Sequence, residues 1–402
     1  MISAQGGFVE MQVVAPILAF SDHRRPFGLH YHPYERGAVL STLIRSERLI
    51  LVAIAAGIAG FSAEHSLIGM GQAASLAGAV FLIAAIILAS MRVAHHAERL
   101  ATKVGDPYGT MILTLSAVLV EVVILAIMMS SSESSPTLVR DTIYSAVMLD
   151  INGILGIAAL LGGLKHGEQP YNDDSSRTYC VMILTAMGIS MIVPEFIPQA
   201  KWHFYSAFTI VAMIMLYTVF LRMQVGAHSY FFSYSYPKTR RESAAGHVEE
   251  PQSTTLSIGI LVFGIVVIGV LAEIMSTLLN TGLEGTGAPP VLAAIVVAAI
   301  SAAPEIMTAM RSALANHMQS VVNIALGASL STVILTVPVM EAIALYTGQP
   351  FIMAMTPVQT VMITITLIVA AINLNDGETN AIEGMTHFVL FATFIMLSCL
   401  GL

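Results

Sequence analysis

Apolar runs of about twenty residues recur from residue 48 to the C-terminal leucine, separated by short polar stretches. A helix rising 1.5 Å per residue crosses a ~30 Å hydrocarbon core in about 20 residues. Eleven runs come within a few residues of that length: 48–64, 71–92, 108–129, 142–163, 178–198, 203–223, 254–276, 289–310, 320–345, 352–373 and 385–401. The pattern predicts an all-α integral membrane protein with about eleven transmembrane helices. One interval breaks the rhythm. Residues 224–253 are polar, Ser-rich and charged, and they divide the chain into halves.

Composition strengthens this reading. The 402 residues are 56% hydrophobic and 10% charged, against about 25% charged in soluble domains. The net charge of −8 says little about partners, because orientation in a membrane follows Lys and Arg alone. With the N-terminus in the cytoplasm, 15 of the 17 Lys and Arg fall in inside segments, leaving only Arg140 and Lys201 outside. Eleven crossings then place the C-terminus outside. The expected divisions are a cytoplasmic segment 1–47, an extra helix plus a first repeat over 48–223, a cytoplasmic linker 224–253 and a second repeat over 254–402. Residues 8–20 are apolar, but Glu10 and Pro16 interrupt them and no basic segment precedes them, so no classical signal peptide is expected. Cys180 and Cys399 both sit in apolar runs and form neither a disulfide framework nor a zinc pattern.

Two glutamates stand inside these runs, Glu121 in the third and Glu305 in the eighth. A carboxylate at the centre of a spanning helix costs about 3 kcal/mol on insertion scales, so an acid there is a functional-site candidate. Glu121 lies 12 residues beyond Gly109, and Glu305 lies 15 beyond Pro290. Both are therefore about 18–22 Å along their helices, near the middle of the bilayer. The two spans are five apart, so they run in opposite directions. That predicts two inverted-topology repeats of five helices after one extra N-terminal helix, with a site at the midplane between them.

Carboxylate oxygens are the hard ligands preferred by alkali and alkaline-earth cations. Two facing carboxylates repel, and either a proton or a cation relieves the repulsion. Neighbouring hydroxyls extend the polar face: Thr110 and Thr114 before Glu121, and Ser301 and Thr308 around Glu305. Pro304 removes a backbone donor and loosens the helix beside Glu305. The next spans supply Asp150 and Asn152 in the fourth, and Asn323, Ser329 and Ser331 in the ninth. An alignment of the halves pairs Asp150 with Ser329 and Asn152 with Ser331. The candidate cation ligands are thus Glu121, Glu305, Asp150, Asn152, Ser329, Ser331, Thr114 and Ser301. Other acids, Glu195, Glu273 and Glu341, lie near outer helix ends, where interface position explains them. His95, His96 and Glu98, and the linker's His247, Glu249 and Glu250, are read as solvated segments.

The run ERLATKVGDPYGTMILTLSAVLVEVVILAIMM, followed by SSPTLVRDTIYSAVML, resembles the first repeat of the calcium/proton exchanger family, within the cation/calcium antiporter superfamily. SAAPEIMTAMRSALANHMQSVVNIALGASLSTVILTVPV resembles the second. The likeness runs from about residue 45 almost to the end and includes the segment around His228. Within the family it is nearest the bacterial ChaA-type calcium (sodium, potassium)/proton antiporters. The resemblance implies that Glu121 and Glu305 bind the transported cation, and that Gly327-Ala328-Ser329 matches a Gly-Ser-Ser element. Val118 and Ala302 stand where the wider family has asparagine, and Ser331 where it has glutamine, a departure that also marks the ChaA-type subgroup.

These readings predict a secondary antiporter in the bacterial inner (plasma) membrane, exchanging Ca²⁺ and/or Na⁺/K⁺ for protons. Its partners are inorganic cations, protons and lipid, with no nucleic acid and no cofactor; homo-oligomers remain compatible. A channel or passive cation pathway is the alternative, although no filter loop is visible. An intramembrane enzyme ranks lower, because no nucleophile motif or histidine pair accompanies the acids. No GxxxxGK[ST] loop is present, so ATP-driven transport is not expected.

Overall fold

The computed structural model describes residues 47–104, 108–130, 135–226, 229–234, 253–349 and 351–402. The N-terminal segment up to residue 46, His228, and the linker with His247, Glu249 and Glu250 lie outside the described residues, as does the side chain of Thr110. Among the described residues, eleven long helices follow one another. They are α1 Arg48–Gly69, α2 Gln72–Val104, α3 Tyr108–Ser130, α4 Leu138–His166, α5 Asp173–Phe196, α6 Gln199–Val225, α7 Thr254–Leu283, α8 Val291–Leu314, α9 Met318–Thr347, α10 Pro357–Asn373 and α11 Ala381–Cys399. Each corresponds in order to one apolar run. Ten are long and apolar enough to cross a membrane, while α10 has 17 residues and is shorter, rising about 25 Å.

The helix ends follow local chemistry. Asn172 caps α5 through the Asp174 amide, and Asn380 caps α11 through the Ile382 and Glu383 amides. Thr356 and Gln359 form a reciprocal capping box on α10, with Pro357 at its first position. Large apolar side chains such as Phe204, Phe208 and Val211 on α6, and Val262, Val266 and Val270 on α7, are exposed. On a water-facing surface this would be an aggregation hazard; against lipid it is the expected exterior.

The connections gather on two faces. On one, Lys103 in the last turn of α2 donates to Thr254 at the start of α7. Gln169 after α4 donates to the Ala313 carbonyl in the last turn of α8 and to Asn316 just beyond it. A two-residue antiparallel pairing joins Gln169–Pro170 to Glu378–Thr379 before α11. On the other face, the Ile352 amide after α9 donates to the Pro136 carbonyl before α4, Arg140 donates to the Ala354 carbonyl, and Gln72 at the start of α2 donates to the Glu284 carbonyl after α7. Each of these contacts joins loops or helix ends that alternating crossings place on the same side.

Two packing features hold the bundle. Helices α4 and α11 approach closely through glycine. A Cβ added to Gly384 would collide with the Leu160 amide and lie 2.7 Å from the Gly156 carbonyl oxygen, and one on Gly156 would lie 2.8 Å from His387 Cβ. Where α1 begins, Glu47 accepts from Arg92 Nε at 2.7 Å and Nη2 at 2.5 Å on α2, and contacts His96 Nε2 at 3.2 Å. His96 is buried, so it belongs to this clamp rather than to a solvated loop. Burial would push the Glu47 carboxyl up, but hydrogen bonds from Arg92 and His96 overcome it and hold it down at about 2, against 4.5. A depressed folded-state value gives stability that is fully present above 4.5 and lost as pH falls toward 2. Glu47→Gln is therefore expected to lower the melting temperature of purified protein at neutral pH. The gap from wild type should close as pH drops through that window.

Candidate functional site

Helices α3, α4, α8 and α9 pack against one another at the centre of the bundle. Glu121 lies 13 residues after the start of α3 and nine before its end. Glu305 lies 14 after the start of α8 and nine before its end. The two glutamates therefore occupy matching mid-helix positions, counted along each helix from its own start.

Glu121 is 3% exposed. Its Oε2 accepts hydrogen bonds from Thr332 Oγ1 at 2.9 Å and Thr336 Oγ1 at 3.3 Å, both on α9. Its Oε1 is buried and takes no hydrogen bond. Asp150 on α4 is also buried, and its Oδ2 accepts from Ser329 Oγ on α9 at 3.1 Å. Asp150 interacts electrostatically with Glu305 and Glu121, and Glu305 with Glu121. Glu305 is only half-buried. The three acids therefore share one electrostatic neighbourhood, although no group of three or more His, Cys, Asp or Glu among the described residues stands at metal-ligating spacing. An ion placed here needs the α9 hydroxyls as well as the acids.

The other anticipated ligands point elsewhere. Asn152 Nδ2 donates to Thr366 Oγ1 at 2.8 Å, and its Oδ1 accepts from His387 Nδ1 at 2.9 Å. The reason is rotational: residues two apart on a helix diverge by about 200°, so Asp150 and Asn152 cannot face the same partner. Ser329 and Ser331 obey the same geometry, and Ser331 Oγ donates to the Gly327 carbonyl at 2.6 Å. Ser301 Oγ donates to the Ala298 carbonyl at 2.9 Å, and Thr308 to the Pro304 carbonyl, the back-bonding usual for hydroxyls inside helices. Thr114 is half-buried two turns before Glu121 on α3, without a hydrogen bond to it.

Thr332 and Thr336 were not anticipated from the sequence, yet a signal was present. Ser329, Thr332 and Thr336 are spaced three and four apart, which is one helical face. The face is adjusted by a π-turn over Thr332–Thr336, and α4 carries another over Leu149–Leu155 around Asp150. Such turns commonly mark functional positions in helices. Both hydroxyl oxygens stand beside Glu121 Oε2, so an ion bound there would lose two oxygen ligands when both are removed. The Thr332→Val/Thr336→Val variant is expected to raise the half-saturating cation concentration about tenfold, measured in reconstituted vesicles.

The family model for "sodium/calcium exchanger protein" matches residues 74–226 and 256–400. The chain belongs to this family. The exchanger is 31% identical over 334 residues to the sodium-potassium/proton antiporter ChaA of Escherichia coli (strain K12), covering 82% of this chain and 91% of that one. It is 24% identical over 362 residues to the Ca(2+)/H(+) antiporter ChaA of Bacillus subtilis (strain 168), covering 87% and 98%. Its fold resembles that of native YfkE with a TM-score of 0.65 at 17% identity, over 84% of this chain and 99% of that one. The exchanger is accordingly a multi-pass, all-α membrane protein whose relatives are antiporters, as the sequence resemblance implied.

Proposed function

We propose that the exchanger is a secondary cation/proton antiporter in which Glu121 and Glu305 bind the transported cation and protons alternately. The observation that carries this reading is the Glu121 carboxylate. It is buried at mid-helix, held by two α9 hydroxyls through one oxygen, and unpaired at the other. A charge so placed must be neutralised, and a proton or a cation can each do so. Asp150 and Ser329 complete the site from α4 and α9.

The design is two inverted repeats, α2–α6 and α7–α11, with α1 outside them. Three observations support it: the matching positions of the glutamates along their own helices, the family match in each half, and the contact of Glu121 and Asp150 with α9 of the other half. The α10 helix spans the bilayer despite its length, since the loops on either side of it pair with opposite faces. The N-terminus lies in the cytoplasm, the C-terminus outside, and the protein sits in a bacterial inner membrane. The cation leaving is Ca²⁺, Na⁺ or K⁺, the ions named for the relatives. Hard oxygen ligands suit all three, and cavity size and ligand number decide among them.

Everted vesicles containing the exchanger, with a preformed inside-acid pH gradient, test the reading. Addition of at least one of the three cations is expected to dissipate the gradient. Failure with all three, against a functional positive control, would remove the antiporter reading.

A further inference from the structure

Away from the central site, a second acid is buried between two helices. Glu341 on α9 is 2% exposed. Its Oε1 lies 3.1 Å from Thr209 Oγ1 and 3.3 Å from Ser206 Oγ, both on α6. Its Oε2 is buried and has no hydrogen-bond partner. Among the described residues no charged side chain acts on it, and the titratable group that senses it is Tyr205 on α6, whose hydroxyl is committed to the Ile189 carbonyl at 2.7 Å. Five residues, or about 7.5 Å of helix and 140° of rotation, separate Glu341 from Thr336, the nearer of the two hydroxyls that hold Glu121, and Glu341 faces α6 rather than α3, so it is not a ligand of the same ion.

A carboxyl buried in this way has to be neutralised, and its surroundings favour a proton over a cation. Thr209 has one hydroxyl proton and faces three oxygens: the Tyr205 carbonyl at 2.9 Å, the Ser206 carbonyl at 3.0 Å and Glu341 Oε1 at 3.1 Å. That proton is shared among them, so Oε1 receives one full donor from Ser206 and part of one from Thr209, and Oε2 receives none among the described residues. A dehydrated cation needs about six oxygen ligands, and Glu341 with two hydroxyls falls short of that. A proton fits both constraints.

We propose that Glu341, seated between Ser206 and Thr209, is a proton-binding site distinct from the central cation site, fastening α9 to α6 when protonated. The proton moves from water to a carboxylate oxygen with no other bond changed. The link to transport rests on the antiporter reading: α9 carries both Glu341 and, five to nine residues earlier at mid-helix, the hydroxyls that hold Glu121, so a movement of α9 on protonation would reach both.

Infrared difference spectra of the purified full-length protein, recorded on acidification, test the site without requiring transport. The carbonyl-stretch band of protonated carboxyls is expected to lose one component in Glu341→Gln. That component should persist in Glu121→Gln/Glu305→Gln and should not respond to Ca²⁺, Na⁺ or K⁺. A Glu341→Gln spectrum identical to wild type would overturn the proposal, as would displacement of the component by an added cation in the double variant. If Glu341→Gln does not fold, Ser206→Ala/Thr209→Val keeps the carboxyl and is expected to shift the same component; an unshifted band would again overturn it. Should the band behave as described while no cation dissipates a pH gradient, the proton site stands and the antiporter reading falls.

Discussion

Glu121→Gln and Glu305→Gln are each expected to abolish cation-driven proton movement while leaving the protein inserted and folded. Glutamine matches glutamate in size and keeps a hydrogen-bond acceptor for Thr332 and Thr336, so the packing of α3 on α9 survives. What disappears is the exchangeable charge. An amide neither takes up the proton nor offset the charge of a cation. For a cation bound between these acids, loss of one carboxylate is comparable to breaking a buried ion pair, about 3–5 kcal/mol, which is more than about 100-fold in affinity. The removal also lifts an unfavourable buried charge, so thermal stability in detergent should be unchanged or slightly higher. Uptake of radiolabelled cation into proteoliposomes, together with a melting curve, separates these effects. A variant that melts normally and still exchanges at the wild-type rate would place the site elsewhere.

Gly384→Leu is expected to prevent accumulation of folded protein, and Gly384→Ala to lower the melting temperature sharply. The neighbours of a Cβ at this position are backbone atoms of α4: the Leu160 amide, the Ala159 carbonyl carbon and the Gly156 carbonyl oxygen. Backbone in a packed helix cannot rotate aside as a side chain can. Overpacking a core costs about 1–3 kcal/mol when side chains yield, and more when two helices must separate. In a membrane, close contact through small residues is a principal source of helix association. Separation of α4 from α11 would also disturb the Asn152–His387 hydrogen bond and the π-turn that presents Asp150. Fluorescence-detected size-exclusion chromatography of tagged variants reads this out. A monodisperse peak for Gly384→Leu at wild-type height would show that α4 and α11 are not in tight contact.

The helices were legible because lipid imposes a simple rule: a span must be apolar and about 20 residues long. All eleven runs became helices, with α10 the marginal case, and the mid-helix positions of Glu121 and Glu305 followed from counting residues. Ligand orientation was less accessible. Asp150 and Asn152, like Ser329 and Ser331, were grouped by offset between the halves, whereas a helix turns about 100° per residue and separates the members of each pair. Counting around the helix instead of along it brings out Ser329, Thr332 and Thr336 as one face. The π-turns in α4 and α9 then adjust that face by an amount no spacing rule supplies. Glu341 illustrates the other difficulty. Near a helix end it reads as an interface residue, and only its burial against Ser206 and Thr209 of a distant helix distinguishes it.

The central claim is that one carboxylate site holds either a cation or protons. Its most direct test is proton release on cation binding to the purified exchanger in weakly buffered detergent solution. Addition of the transported cation is expected to release protons from wild type, and the release should vanish in Glu121→Gln/Glu305→Gln. Saturable cation binding without proton release, or release that persists in the double variant, would contradict the account.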